Sequence, residues 1–201
     1  MSLFSSPAWD AVTYWALDLE TGGLDPQKDA ILAVGMVPIR AGTIRLGEAY
    51  ATLVRPEDGR GIDPRSVQAH QLVWGEVKEA PPLGEVLPEI ERRLSEGVML
   101  VHHWPLDVGF LKLAFRRTGL DWPAPAIVDT VDLLVKAKEK SRFIQPNALD
   151  DIPVLNLAKA RREYGLPDYA AHDALTDAVS AAELFLVLRR RLRAKTLRDL
   201  R

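Results

Sequence analysis

Asp18 and Glu20 lie two apart in the run Leu17-Asp18-Leu19-Glu20-Thr21-Gly22. In an extended segment that spacing sends both carboxylates out of one face. Paired carboxylates repel unless a proton or a cation lies between them, and hard oxygen ligands of this kind suit Mg²⁺ or Mn²⁺. Gly22 and Gly23 follow and let a substrate backbone come close; taken alone, the run fits a plain polar strand end equally well. Asp107 is followed by Phe110, Leu111 and Ala114 on its own side of a helical pattern. A carboxylate on a buried helix face must be paired, hydrogen-bonded or bound to metal, although one turn from a helix start it also serves as the charge complement of that end. In His172-Asp173-Ala174-Leu175-Thr176-Asp177, Asp173 reads as a helix N-cap, which makes His172 and Asp177 neighbours across the first turn. Histidine titrates nearest neutral pH and is the natural base for a water beside a phosphate; a lone histidine is more often structural. Four acids and a histidine at the ends of three elements are what phosphodiester hydrolysis with two divalent cations about 3.5–4 Å apart requires.

Those elements can be placed from the apolar periodicity. Short β-prone runs cover residues 13–18, 30–40, 43–54, 98–101 and 127–128, with Ala41-Gly42 as a hairpin turn between the second and third. Helical patterns cover 83–94, where Leu83, Val86, Leu87, Ile90 and Leu94 mark one face, then 105–118, 130–138 and 174 to about 193. Pro105 suits a first helical position and Gly119 the residue past a helix end. Three strands followed by strand, helix, strand, helix predict an α/β fold, a mixed sheet of five strands flanked by helices.

The chain of 201 residues, 47% hydrophobic and 27% charged, is long enough to bury one core, so residues 1–201 are expected to form a single domain with its core at about 10–188. It has no cysteine, which excludes disulfides, thiolate metal sites and cysteine nucleophiles and leaves oxygen and imidazole as metal ligands. The longest apolar stretch, residues 31–39, is too short to cross a bilayer, and the N-terminus has no basic region before an apolar run. A soluble, cytoplasmic protein without a membrane partner is expected. Charge is uneven: residues 189–201 hold seven basic residues against Asp199, a local +6, so the remainder carries −8 in a chain that is −2 overall. This basic end fits either a solvated helix end or a polyanion contact.

The three acidic motifs resemble the DEDDh family of 3′–5′ exonucleases, which includes the proofreading epsilon subunit of bacterial DNA polymerase III, ribonuclease T and oligoribonuclease. The resemblance covers nearly the whole chain, through residues 17–22, 102–111 and 172–177. It implies a ribonuclease H-like fold, two divalent cations held by Asp18, Glu20, Asp107 and Asp177, and His172 as general base. It further implies that Thr21 and Leu24 contact the terminal nucleotide, that Phe110 walls its pocket, and that His70 lies close to the substrate. The second motif departs from the family pattern, with His103 in place of asparagine and Trp104 in place of a small residue. His103 therefore either adds a phosphate contact or replaces the asparagine's hydrogen bonding, and Trp104 either stacks on a base or covers the helix start.

The expected activity is removal of nucleoside monophosphates from a 3′ end. An acidic body disfavours extended duplex binding, which points to a short single-stranded or frayed end. Residues 156–186 most resemble epsilon-like proteins, which favours DNA over RNA and makes a DNA polymerase subunit a candidate partner. The chain's short extent after its last helix leaves a stand-alone exonuclease equally open. The alternatives are an exoribonuclease on short RNA and a non-catalytic binding module of the same fold. A haloacid dehalogenase-like phosphatase is a poorer match, because Glu20 is the wrong acid for its nucleophile motif and His172 and Asp177 would have no role.

Overall fold

The structure, a computed structural model, describes residues 6–63, 66, 72, 74–144, 152–170 and 173–201. At its centre Tyr14–Thr21 forms strand β1, where apolar side chains alternate across the pleat. Trp15, Leu17 and Leu19 enter one core cluster, and Tyr14 and Ala16 enter another on the opposite face. Strand β2 (Ile31–Arg40) runs antiparallel to β1, with Asp18 opposite Gly35 and Glu20 opposite Ala33. At the hairpin Ala41 and Gly42 both take positive φ, 49° and 72°, the twist that a two-residue turn between right-twisted strands favours.

The third expected strand, residues 43–54, is in fact two. Strand β3 (Thr43–Ile44) pairs with the end of β2, a 3-10 turn intervenes at Leu46–Glu48, and β4 (Tyr50–Leu53) rejoins β2 lower down. Continuing the first register would set Tyr50 opposite Ala33, whereas it faces Met36, so the turn withdraws three residues from the ladder. The turn closes through Glu48 N–H to Arg45 O and Ala49 N–H to Leu46 O, and Arg40 Nε donates to the Glu48 carboxylate at 2.8 Å. With β5 (Val98–Val101) and β6 (Ile127–Asp129) the mixed sheet has six strands rather than five, in the order β3-β2-β1-β5-β6, with β4 also on β2.

Strands β1, β5 and β6 are parallel, so their C-terminal ends share one edge of the sheet. In such sheets that edge is where ligands are bound, because the chain leaves each strand there into a loop or helix start. Besides a short helix α1 (Trp74–Val77), the helices are α2 (Leu83–Ser95), α3 (Trp104–Thr118), α4 (Thr130–Ile144), α5 (Leu157–Glu163) and α6 (Ala174–Leu192). Helices α2 and α3 cover the Trp15 face with the predicted stripe Leu83, Val86, Leu87, Ile90 and Leu94; burying each such leucine or isoleucine contributes about 1.5–3 kcal/mol. Helices α4 and α6 cover the Tyr14 face, and Gly119 closes α3 in the left-handed conformation, φ 74°. Helix α4 runs six residues beyond its expected end. No helix among the described residues is long and apolar enough to cross a membrane.

Candidate active site

Strand β1 does not stop at Asp18 but continues to Thr21, with its register to β2 shifting between Glu20 and Thr21. Asp18 and Glu20 therefore continue the alternation of Tyr14 and Ala16, on the face that α6 covers. Asp177 comes from the first turn of α6, whose N-cap is Asp173: its side chain accepts from Thr176 N at 2.8 Å. A carboxylate oxygen from each of Asp18, Glu20 and Asp177 lies within 4.8 Å of the others.

The approach of α6 depends on two features of the sequence. Ala174, Ala178, Ala181 and Ala182 give it a buried face of small side chains, so its axis lies close to the sheet. Directly across from Asp18 is Gly35, where any Cβ would overlap the backbone of Ala174 and the amide nitrogen of Leu175. The missing side chain at Gly35 is the space that the start of α6 occupies.

Asp107 arrives from the other side, one turn into α3, and is buried. Backbone N–H groups of Asp107 itself and of Leu19 hold its carboxyl. It stands beside the Asp18–Glu20–Asp177 trio, close enough that its charge acts on Asp18. The start of α3 is clamped by Asp129 at the end of β6. This buried carboxylate accepts N–H bonds from His103 (2.9 Å), Trp104 (2.7 Å) and Val131 (2.8 Å). His103 sits in the left-handed conformation at φ 75°, its exposed side chain making no capping bond, and exposed Trp104 opens the helix. His102 adds a second tie: Nε2 donates to Leu155 O at 2.6 Å, and Nδ1 shares a hydrogen bond with Thr130 Oγ1 at 2.7 Å.

Sequence patterns missed Asp129, His102 and Thr130 as organisers. An aspartate just before a helix signals a cap for that helix, here α4 through Val131. Its reach to the start of α3 needs the β5–β6 pairing. Of the remaining expected residues, Thr21 is buried and its hydroxyl donates to Gly23 O at 2.7 Å, so it closes the turn after β1. Leu24, at 80% exposed, stands out from that turn, and Phe110 is buried among the core residues of α3. His70 and His172 lie outside the described residues.

The electrostatics of the cluster follow from its composition. Burial first, then Asp107, Glu20, Asp177 and Asp173, hold the Asp18 carboxyl well above its ordinary range. Burial, Asp177 and Asp173 raise Glu20 from 4.5 to about 7, and burial raises Asp107 as well. Among the described residues, no basic side chain is among the groups acting on Asp18 or Glu20. Convergent oxygen donors with surplus negative charge fit hard divalent cations such as Mg²⁺ or Mn²⁺.

This crowding has a measurable sign. A carboxyl raised from 4.5 to about 7 by folding binds its proton more tightly in the folded state, so stability falls as pH rises through that window. For Glu20 alone the loss is of the order of 3 kcal/mol. In EDTA the melting temperature is expected to fall between about pH 5 and 7.5, and Mg²⁺ or Mn²⁺ to restore it most at the upper end, by calorimetry. A melting temperature that climbs across the window in EDTA would contradict the crowding of the acids.

Comparison with known proteins agrees with this architecture. Residues 15–185 match the model of the exonuclease family named for ribonuclease T. The chain is 33% identical over 175 residues to a PolC-type DNA polymerase III of Thermotoga maritima, covering 87% of this chain and 12% of that protein. It is 31% identical over 189 residues to a DNA polymerase III subunit epsilon-like protein of Rhodobacter capsulatus, covering 94% of this chain and 25% of the relative. It thus spans a quarter or less of the length of these two relatives. Among solved structures, Escherichia coli exonuclease I in complex with a dT13 oligonucleotide shares the fold, with a TM-score of 0.75 at 17% identity over 90% of this chain and 42% of that one. The acids that meet at the sheet edge lie within the matched span, and the chain belongs to the exonuclease family.

Proposed function

We propose that the protein is a metal-dependent 3′–5′ exonuclease that removes nucleoside monophosphates from single-stranded or frayed DNA ends. The observation that carries this reading is the convergence of Asp18, Glu20 and Asp177 within 4.8 Å, with Asp107 beside them and, among the described residues, no basic side chain acting on Asp18 or Glu20. Asp18, Glu20, Asp107 and Asp177 would hold two divalent cations, Mg²⁺ or Mn²⁺. Cations held there would supply Lewis acidity to the phosphodiester and to the attacking water. The chain's own residues do the rest. The clamp by Asp129 fixes the start of α3 and so the position of Asp107, and Gly35 admits Asp177. His172, five residues before Asp177, takes the proton of the attacking water on an imidazole nitrogen. Exposed Leu24 offers an apolar surface to the terminal base, Thr21 shapes the turn beneath it, and Phe110 backs the pocket from the core. His103 offers its exposed ring to a phosphate, and the resemblance assigns His70 a substrate contact.

The epsilon-like and PolC-type relatives support DNA over RNA, a role in proofreading or repair, and a DNA polymerase subunit as partner. We place this activity in the cytoplasm and in one domain spanning 1–201, the basic residues 189–201 forming its end.

The test is incubation with 5′-labelled single-stranded DNA and the same sequence as RNA, with Mg²⁺, Mn²⁺ or EDTA. Metal-dependent, stepwise shortening from the 3′ end, faster on DNA, is expected. His172→Ala should slow it by about 10²–10⁴-fold with metal binding by calorimetry unchanged. Faster cleavage of RNA would overturn the substrate assignment, and no cleavage with either metal would overturn the activity.

A further inference from the structure

Helix α6 carries Asp177 in its first turn and a run of arginines in its last. Arg190 lies thirteen positions after Asp177, about 20 Å along the axis. At that far end a groove runs between α4, α5 and α6. It holds two adjoining cavities of about 560 and 420 Å³ that share Ser141, Arg190 and Arg191. Lys138 lines the first, and Lys140 and Arg193 line the second.

Among the described residues, the charges in this groove are only partly paired. Lys138 is matched by Glu163 at 2.5 Å, and Lys140 Nζ donates to Leu192 O at 2.8 Å, fastening the last turn of α6 to α4. Asp199, the acid of the tail, is engaged by the backbone N–H groups of Lys195 and Thr196. Arg190, Arg191 and Arg193 are exposed, and no acidic side chain among the described residues pairs with them. On a convex surface such arginines would be a solvated helix end. In a concavity their fields add, and the planar guanidinium fork matches phosphate oxygens two at a time.

We propose that this groove is a second nucleic-acid site, binding backbone phosphates of a strand about 20 Å from the acid cluster. The choice of a nucleic-acid strand as the polyanion rests on the exonuclease reading. The body of the chain is acidic and its 3′-end site is built of carboxylates, so neither attracts a strand before cations bind. The groove supplies the attraction, and only a strand several nucleotides long reaches both places.

The test compares Arg190→Gln/Arg191→Gln with Lys195→Gln/Arg198→Gln, which removes the same charge from the tail outside the groove. Binding of a labelled single strand of about 20 nucleotides is followed by fluorescence anisotropy in EDTA, where the acid cluster gives no attraction, from about 50 to 200 mM salt. The groove variant is expected to bind about tenfold more weakly at the lowest salt. Its slope of log K against log salt should be shallower by about 1.4, which is 0.7 for each phosphate that is no longer neutralised. The tail variant should stay within about twofold of the parent. Hydrolysis of a dinucleotide, too short to reach the groove, should be equal in all three proteins. Unchanged affinity and slope in the groove variant, an equal weakening in the tail variant, or slowed dinucleotide hydrolysis would each overturn the proposal. If the parent protein shortens neither the dinucleotide nor the 20-nucleotide strand with either metal, the exonuclease reading fails, while the binding series in EDTA still decides the groove.

Discussion

Asp18→Ala is expected to reduce 3′-end hydrolysis by about 10³-fold or more, the equivalent of at least ~4 kcal/mol of transition-state stabilisation. The same change should raise the melting temperature of the metal-free protein near neutral pH. Asp18 is the carboxyl on which burial and four neighbouring acids all act in the same direction, so its removal relieves the folded state while leaving the core of β1 intact. Higher stability together with abolished activity is the signature of a residue kept for chemistry at a cost to the fold. The paired measurement is single-turnover hydrolysis and calorimetry in EDTA. Retained activity would remove Asp18 from the metal-ligand set, and a lowered melting temperature would show that it is a structural acid.

Gly35→Ala carries the second large effect, at a residue with no functional group. A methyl here meets the backbone of Ala174 and Leu175, which cannot rotate out of the way as a side chain would. The start of α6 must lift, and Asp177 moves with it. Displacing a ligand by about 1 Å is enough to cost about 10²-fold in rate, and more is expected where three oxygens must converge. The fold should survive, because the rest of α6 is anchored by Ala178, Ala181, Leu184, Phe185 and Leu188. Hydrolysis and affinity for Mn²⁺ by calorimetry should fall together, and a variant that binds Mn²⁺ like the parent would show that α6 adapts.

The contrast between these two residues shows what was legible in the sequence. Asp18 and Glu20 announce themselves through a spacing of two, Asp107 through its place in an apolar helical stripe, and Asp177 through the cap at Asp173. Each of these is a local signal, set by chain geometry within a few residues. Gly35 is silent, because a glycine in an apolar strand has no local explanation; its reason is a helix that begins 139 residues later. Asp129 is half legible: the cap of α4 is local, and the clamp on α3 exists only once β5 and β6 pair. The break of the third strand at residues 46–48 escaped for a related reason, since its apolar residues fit one long strand and only the pairing with β2 shows that three are withdrawn.

The parallel course of β1, β5 and β6 also fixes the direction of the helices that meet their ends. Helices α3 and α4 start where β5 and β6 finish, and α6 starts against Gly35, so three helix N-termini face the edge where the acids gather. Each brings backbone N–H groups that have no partner within the helix and the equivalent of about half a positive charge. Peptide dipoles thus offset part of the acids' mutual repulsion, and among the described residues no basic side chain acts on Asp18 or Glu20. The scaffold tolerates a concentration of carboxylates because of the way its helices point, and the same field would favour any anionic group brought to that edge.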